Sequence, residues 1–288
     1  MGKFYRLAAC SAALFAAACT TANAQTSSRP PAAATAGVTP ATIGGHPNIN
    51  GIWQTMNEAR WNLEPHSAQT QPNRAAERAI GAQAAVPASL GVVQGGEIPY
   101  TAEAKAMREE KLASALDPEK ACYLPGIPRA TYMGYPFQII QGGGDILFAY
   151  EYASANRVVQ MGDIGIPPID TWMGTSYGRW EGNTLVVTTL AQNGETWLDR
   201  AGNFVAPTTT VVERFTPMGP NHMNYTVTFD DPELYTRPWT IEMPLYRRME
   251  KNAQLLEFKC VPFAEMYLYG DLYETLDEEA KARLGIQD

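Results

Sequence analysis

Histidine, cysteine and positive charge are all scarce in this chain. The histidines are His46, His66 and His222, three in 288 residues. None stands at a spacing from another ligand that zinc or iron sites use, so no metal and no other cofactor is expected. The four cysteines form no Cys-x-x-Cys pair and adjoin no histidine, which argues against thiol chemistry. Basic residues number 22 against 30 acidic ones, a formal charge of −8. Nucleic acid and anionic membrane surfaces need clustered Lys and Arg, so neither is an expected partner. Beyond the N-terminus no stretch approaches about 20 uninterrupted apolar residues, and no integral membrane segment is expected.

What is present begins with a leader. Lys3 and Arg6 precede a small apolar run, Leu7 to Thr21, and Ala22-Asn23-Ala24 supplies an A-x-A cleavage pattern. Residues 1–24 thus read as a signal peptide for export to the periplasm, with cleavage after Ala24. The rival reading, a lipoprotein anchored at Cys19, lacks the large aliphatic residue usual three positions upstream. Cleavage removes two basic residues and no acidic ones, leaving 20 against 30. It also removes Cys10 and Cys19. The remaining Cys122 and Cys260 either pair in the oxidising compartment or stay as buried free thiols, and the spacing leaves both open.

Residues 25–47 are Ala, Pro, Thr, Ser and Gly with hardly a large apolar side chain, which predicts a disordered linker. Residues 48–288 read as a single β-rich domain: a covering arm and helix over 48–118, a β body over 119–261 and a helical tail over 262–288. In the arm, Thr101 caps a helix over Ala102 to Leu116, and part of Arg74 to Ala85 has helical character. From Pro136 the hydrophobic period is two. Met223, Tyr225, Val227 and Phe229 alternate with polar residues, as do Trp239, Ile241, Met243 and Leu245. Further strands are expected at 137–141, 146–152, 157–161, 184–189 and 209–215, and Leu256, Phe258 and Cys260 share a face. Turn residues join them at short spacing, which means antiparallel hairpins. The fold class is mainly β, an antiparallel meander closed as a lipocalin-like barrel or packed as a two-sheet sandwich, since a sheet that wide leaves exposed edges if open. A last helix is expected over Glu274 to Leu284.

Gly178-Arg-Trp-Glu-Gly182-Asn183 followed by Thr184 to Thr189 reads first as a hairpin, with Gly182-Asn183 at the positive-φ turn. Gly174-Thr-Ser-Tyr-Gly178 matches the nucleophile-elbow pattern, but the strand-to-helix setting that exposes such a serine is missing. These segments, with Asp170-Thr-Trp-Met-Gly174, Thr196-Trp-Leu-Asp199, Cys122-Tyr-Leu-Pro-Gly-Ile-Pro-Arg129 and Tyr135-Pro-Phe-Gln138, resemble a large family of exported bacterial proteins without an established function. The resemblance runs from Asn50 to about Val261 and implies export and a β-rich body. It implies acidic residues at Asn183 and Thr188, where this chain is neutral.

Three residues suit proton transfer. An imidazole is the side chain suited to proton transfer near neutral pH, and His66 shares the covering segment with Glu64 and Glu97, where a carboxylate can orient it. Trp172, Trp197, Tyr132 and Tyr135 fall in loops or at strand ends, outside the alternating core positions. Rings so placed would line a barrel mouth and hold an apolar ligand, with Arg129 or Arg179 reading its anionic group. The sequence therefore predicts an exported, cofactor-independent lyase or isomerase acting on a hydrophobic, aromatic small molecule. Its rival is a non-catalytic periplasmic carrier for the same ligands. A homodimer is left open.

Overall fold

The two-residue period from Phe137 to Leu245 closes into a ring. The computed structural model describes residues 42–70, 85–114, 117–162, 165, 167–262 and 264. Nine strands follow in chain order: β1 (Gly51–Gln54), β2 (Phe137–Gln141), β3 (Ile146–Tyr150), β4 (Asn156–Met161), β5 (Thr175–Glu181), β6 (Thr184–Leu190), β7 (Thr210–Pro217), β8 (His222–Asp230) and β9 (Trp239–Arg247). Each pairs with the next, and β9 returns to β1, so the barrel is a meander and the sandwich is excluded. Nine is odd, and alternating directions cannot close an odd ring. One pair must run parallel, and it is β4 with β5, in register from Val159↔Ser176 to Met161↔Gly178. This corrects the purely antiparallel expectation. A parallel pair requires a crossover, and the chain between Met161 and Thr175 is long enough to supply it.

Inward residues fill the barrel with rings. Phe148 meets Phe137 at 6.2 Å and Phe215 at 5.3 Å, Phe215 meets Tyr225 at 4.8 Å, and Phe229 stacks on Trp239 at 4.1 Å. Phe137, Phe148, Phe215, Tyr225, Val227 and Phe229 are all 0% exposed, so no hollow a water could enter adjoins them. Burying each ring contributes roughly 2–3 kcal/mol. Outward positions of β8 carry His222, Asn224, Thr226, Thr228 and Asp230. The outer face of β8 is thus polar, where a lipid-embedded barrel carries an apolar band. Among the described residues, no helix is long and apolar enough to cross a membrane.

The Arg-Trp-Glu hairpin is built as its spacing predicts. Gly182 takes φ +58°, and a side chain on inward-facing Gly178 would strike Val159 and Met161. Outside, Val186 lies between Arg179 and Arg214 in register and is fully buried. Both of those guanidiniums meet Glu181, at 2.6 and 2.9 Å.

Several boundaries move. β3 ends at Tyr150, because Tyr152–Ser154 winds into a short 3-10 turn. Residues 256–260 are not a strand: the chain returns outside the barrel, Leu256 is exposed, and Phe258 packs on Tyr135 and Tyr152. Within the expected linker, Thr42–Ile43 and His46–Pro47 pair as a ribbon, and His46 stacks on Trp180 at 4.8 Å. Helix α1 (Ala102–Ser114) is present, with Thr101 Oγ1 accepting from the Ala104 N–H at 3.2 Å. The helices expected within 74–85 and 274–284 fall outside the described residues, except Ala85, which is in a strand. Cys122 and Cys260 form a disulfide, which settles the open alternative and fits an oxidising compartment.

Candidate functional site

Backbone ties place the covering arm on the barrel rim. Leu63 N–H donates to buried Asp199, Val92 N–H to the Leu63 carbonyl, and Gln94 N–H to Thr240 on β9. The arm then turns at Gly95-Gly96, both at positive φ, and enters α1. Between arm and helix lies a hollow of about 520 Å³ lined by Glu64, Pro65, Gly96, Glu97, Ile98, Pro99, Tyr100, Lys105 and Arg108. Glu64 is fixed there, since its Oε1 accepts from Ile98 N–H at 2.9 Å and its Oε2 faces Arg108 at 3.7 Å. Arg108 also donates to the Ala201 carbonyl at 3.3 Å. The Tyr100 oxygen accepts from Phe204 N–H, and burial pushes this phenol well above its ordinary value.

Of the three residues expected to move protons, two line this hollow, Glu64 and Glu97. His66 does not. Its Nδ1 lies 2.9 Å from the Glu64 carbonyl, which can only accept, so Nδ1 donates to it. The ring's Nε2 is buried and has no partner.

The six residues expected to bind substrate are not gathered into one site. Arg129 is buried and forks onto Asp117 at 2.9 and 2.8 Å, with Glu119 at 2.6 Å, so its charge is already satisfied inside the protein. It is a structural cation and not an anion anchor. Glu119 also takes Arg200 at 2.9 Å; burial alone would raise its carboxyl, but the guanidiniums of Arg200 and Arg129 hold it at about 2. Tyr132 is fully buried and donates to the Leu198 carbonyl at 3.0 Å. Trp197 is buried beside the same loop and pairs with Phe204. Tyr135 packs against Phe258, Trp172 stacks on Tyr123 at 4.6 Å, and Arg179 serves the surface clamp described above. Arg129 and Tyr132 reach the Trp197 and Leu198 carbonyls in the interior, the remaining rings pack against protein, and none of the six lines the hollow.

The Thr-Trp-Leu-Asp segment is a lock on this loop. Asp199 accepts from the N–H groups of Leu63, Ala201 and Asn203 and from the Asn203 amide at 2.6 Å. Burial raises its carboxyl, and the donors from Asn203 and Leu63 oppose that rise. Ser176 faces the barrel interior and shares a hydrogen bond with Thr189 at 2.9 Å, with no elbow.

Two features escaped the sequence reading. One is the interior pair Arg157–Glu213, at 2.6 Å, where Tyr225 donates to the same carboxylate at 2.7 Å. The other is the contribution of α1 to the hollow. Lys105 and Arg108, three apart on one helical face, followed an arm already carrying Glu64 and Glu97, and that charge pattern was the available signal. No family model, curated protein or solved structure matches this chain.

Proposed function

We propose that this is an exported periplasmic protein, processed after Ala24, that binds a small molecule in the hollow between the covering arm and α1. The observation that carries the reading is that hollow, about 520 Å³, at a size typical of small-molecule sites and flanked by Glu64, Glu97, Lys105 and Arg108. The tightly filled barrel beside it moves the expected ligand out of the interior and toward polar chemistry. A fragment screen by ligand-observed NMR tests this. Glu97→Trp, which fills the hollow, should abolish binding without lowering Tm. Binding that survives the filled variant refutes the assignment.

One observation favours the catalytic alternative, a cofactor-independent lyase or isomerase acting on an aromatic compound. His66, next in sequence to Glu64 and Pro65 of the hollow, keeps an Nε2 with no hydrogen-bond partner, and a general base would act through such a ring nitrogen. Hydroxylated aromatic compounds incubated with the protein should then yield product by mass spectrometry, and His66→Gln should stop it while ligand affinity stays within a few-fold. Turnover unchanged in that variant would remove His66 from the reaction.

A further inference from the structure

Some opposite charges on this surface close onto each other. Arg179 and Glu181 do so at 2.6 Å, and Arg248 and Glu250 at 2.8 Å. Glu97 and Lys105 border one hollow and do not: among the described residues neither makes an ion pair or a side-chain hydrogen bond. Both backbones are restrained. Glu97 lies between the Gly95-Gly96 turn and Ile98, whose N–H is bound by Glu64, and Lys105 is held in the first turns of α1 by its N–H to Thr101. An accessible carboxylate and an accessible ammonium therefore face the same cavity without neutralising each other. Behind them the loose Glu64–Arg108 contact, at 3.7 Å, repeats the arrangement with the acid on the arm and the base on the helix. The hollow is thus polarised across its width, negative toward the arm and positive toward α1.

A ligand with a single charge would satisfy one wall and leave the other facing solvent. A hydrophobic ligand would satisfy neither. We infer that the hollow takes a small zwitterion of amino-acid or dipeptide size, its ammonium toward Glu97 and its carboxylate toward Lys105. Pro65, Ile98 and Pro99 supply an apolar border for an aliphatic side chain. This inference rests on the binding reading above and specifies its ligand class. Exposed ion pairs are weak individually, so each terminal charge should matter by about two- to fivefold in affinity.

The probe is the dipeptide Gly-Leu with two capped forms, N-acetyl-Gly-Leu, which lacks the ammonium, and Gly-Leu amide, which lacks the carboxylate. Affinities are read by NMR titration on the full protein and on Glu97→Trp. The dipeptide should bind about two- to fivefold more tightly than either capped form, and not bind the filled variant. Lys105→Gln should weaken Gly-Leu and the acetylated form and leave the amide unchanged, and Glu97→Gln should do the converse. If all three forms bind equally and lose binding in Glu97→Trp, the zwitterion inference falls while the site stands. If none binds at millimolar concentration, the inference falls too, and the fragment screen decides the site separately.

Discussion

Removing the Glu213 carboxylate should be among the most damaging single changes to this protein, and its cost reports whether the barrel is dry. Arg157 reaches Glu213 through both terminal nitrogens, at 2.6 and 3.0 Å, with side-chain exposures of 3% and 0%. The guanidinium lies 4.7 Å from the Phe148 ring, with Ser176 and Thr189 only at 3.4 and 3.5 Å. In Glu213→Leu the cation keeps no comparable partner, and a buried charge left alone costs about 3–5 kcal/mol. Arg157→Met strands the carboxylate and should cost a similar amount. Changing both removes the two charges together and strands only the Tyr225 hydroxyl, worth about 1–2 kcal/mol. The double variant should therefore be more stable than either single one, with a coupling of at least about 2 kcal/mol. Urea titrations give the assay, since a loss of this size moves the midpoint by about 1–2 M at constant slope. If both single variants cost under about 1 kcal/mol, water reaches Arg157. The interior is then a hydrated cavity, and a ligand inside the barrel returns to consideration.

Three other outcomes follow from the geometry. Cys122→Ser opens a loop with a sequence separation of 138, and by chain entropy it should lower stability by about 3–5 kcal/mol; a change below about 1 kcal/mol in oxidised protein refutes the bridge as a stabiliser. Glu119 stabilises the fold through a carboxyl held at about 2, so its contribution is complete above its ordinary value of 4.5 and is lost as pH falls through about 2. Wild type and Glu119→Gln should then differ most at neutral pH and converge toward pH 2 in thermal melts, and a gap that stays constant contradicts the assignment. Arg129→Ala strands Asp117 in the interior and should cost about 3–5 kcal/mol, while Arg179→Ala, an exposed clamp, should leave the urea midpoint nearly unchanged; equal losses would show that burial does not separate the two arginines.

The body of the fold was legible because alternation is a local property. Met223 to Phe229 and Trp239 to Leu245 name their inward residues without any neighbour, and β8 and β9 bury that set. Gly182-Asn183 likewise encodes its own turn. Closure was legible as a need to hide edges, but the closing strand was not. Ile52 and Trp53 announce order, and nothing in four residues says that they pair with β9 on one side and β2 on the other. The site was harder still, because a long side chain outside the alternating pattern does not declare its depth. Arg129 looked available for a ligand, but its partner Asp117 sits twelve residues earlier and the two meet only in the folded rim. The loop aromatics misled for the same reason. Glu64 and Glu97 were found because one irregular segment carried both, whereas Lys105 and Arg108 belonged to a helix that read as peripheral.

The disulfide divides the barrel's staves unequally. It ties residues 122 to 260 into a covalent lasso that contains eight strands, and β1 alone lies outside it. A protease that nicks the chain anywhere inside the lasso leaves one molecule, its pieces still joined through sulfur. A nick in the arm between β1 and Cys122, near the fully protruding Leu90, severs the ninth stave from the other eight. That stave would be retained only by non-covalent ties, its five ladder partners, the burial of Trp53, the Leu63–Asp199 hydrogen bond and His46 on Trp180, so the hoop stays shut only as long as the N-terminal fragment remains docked.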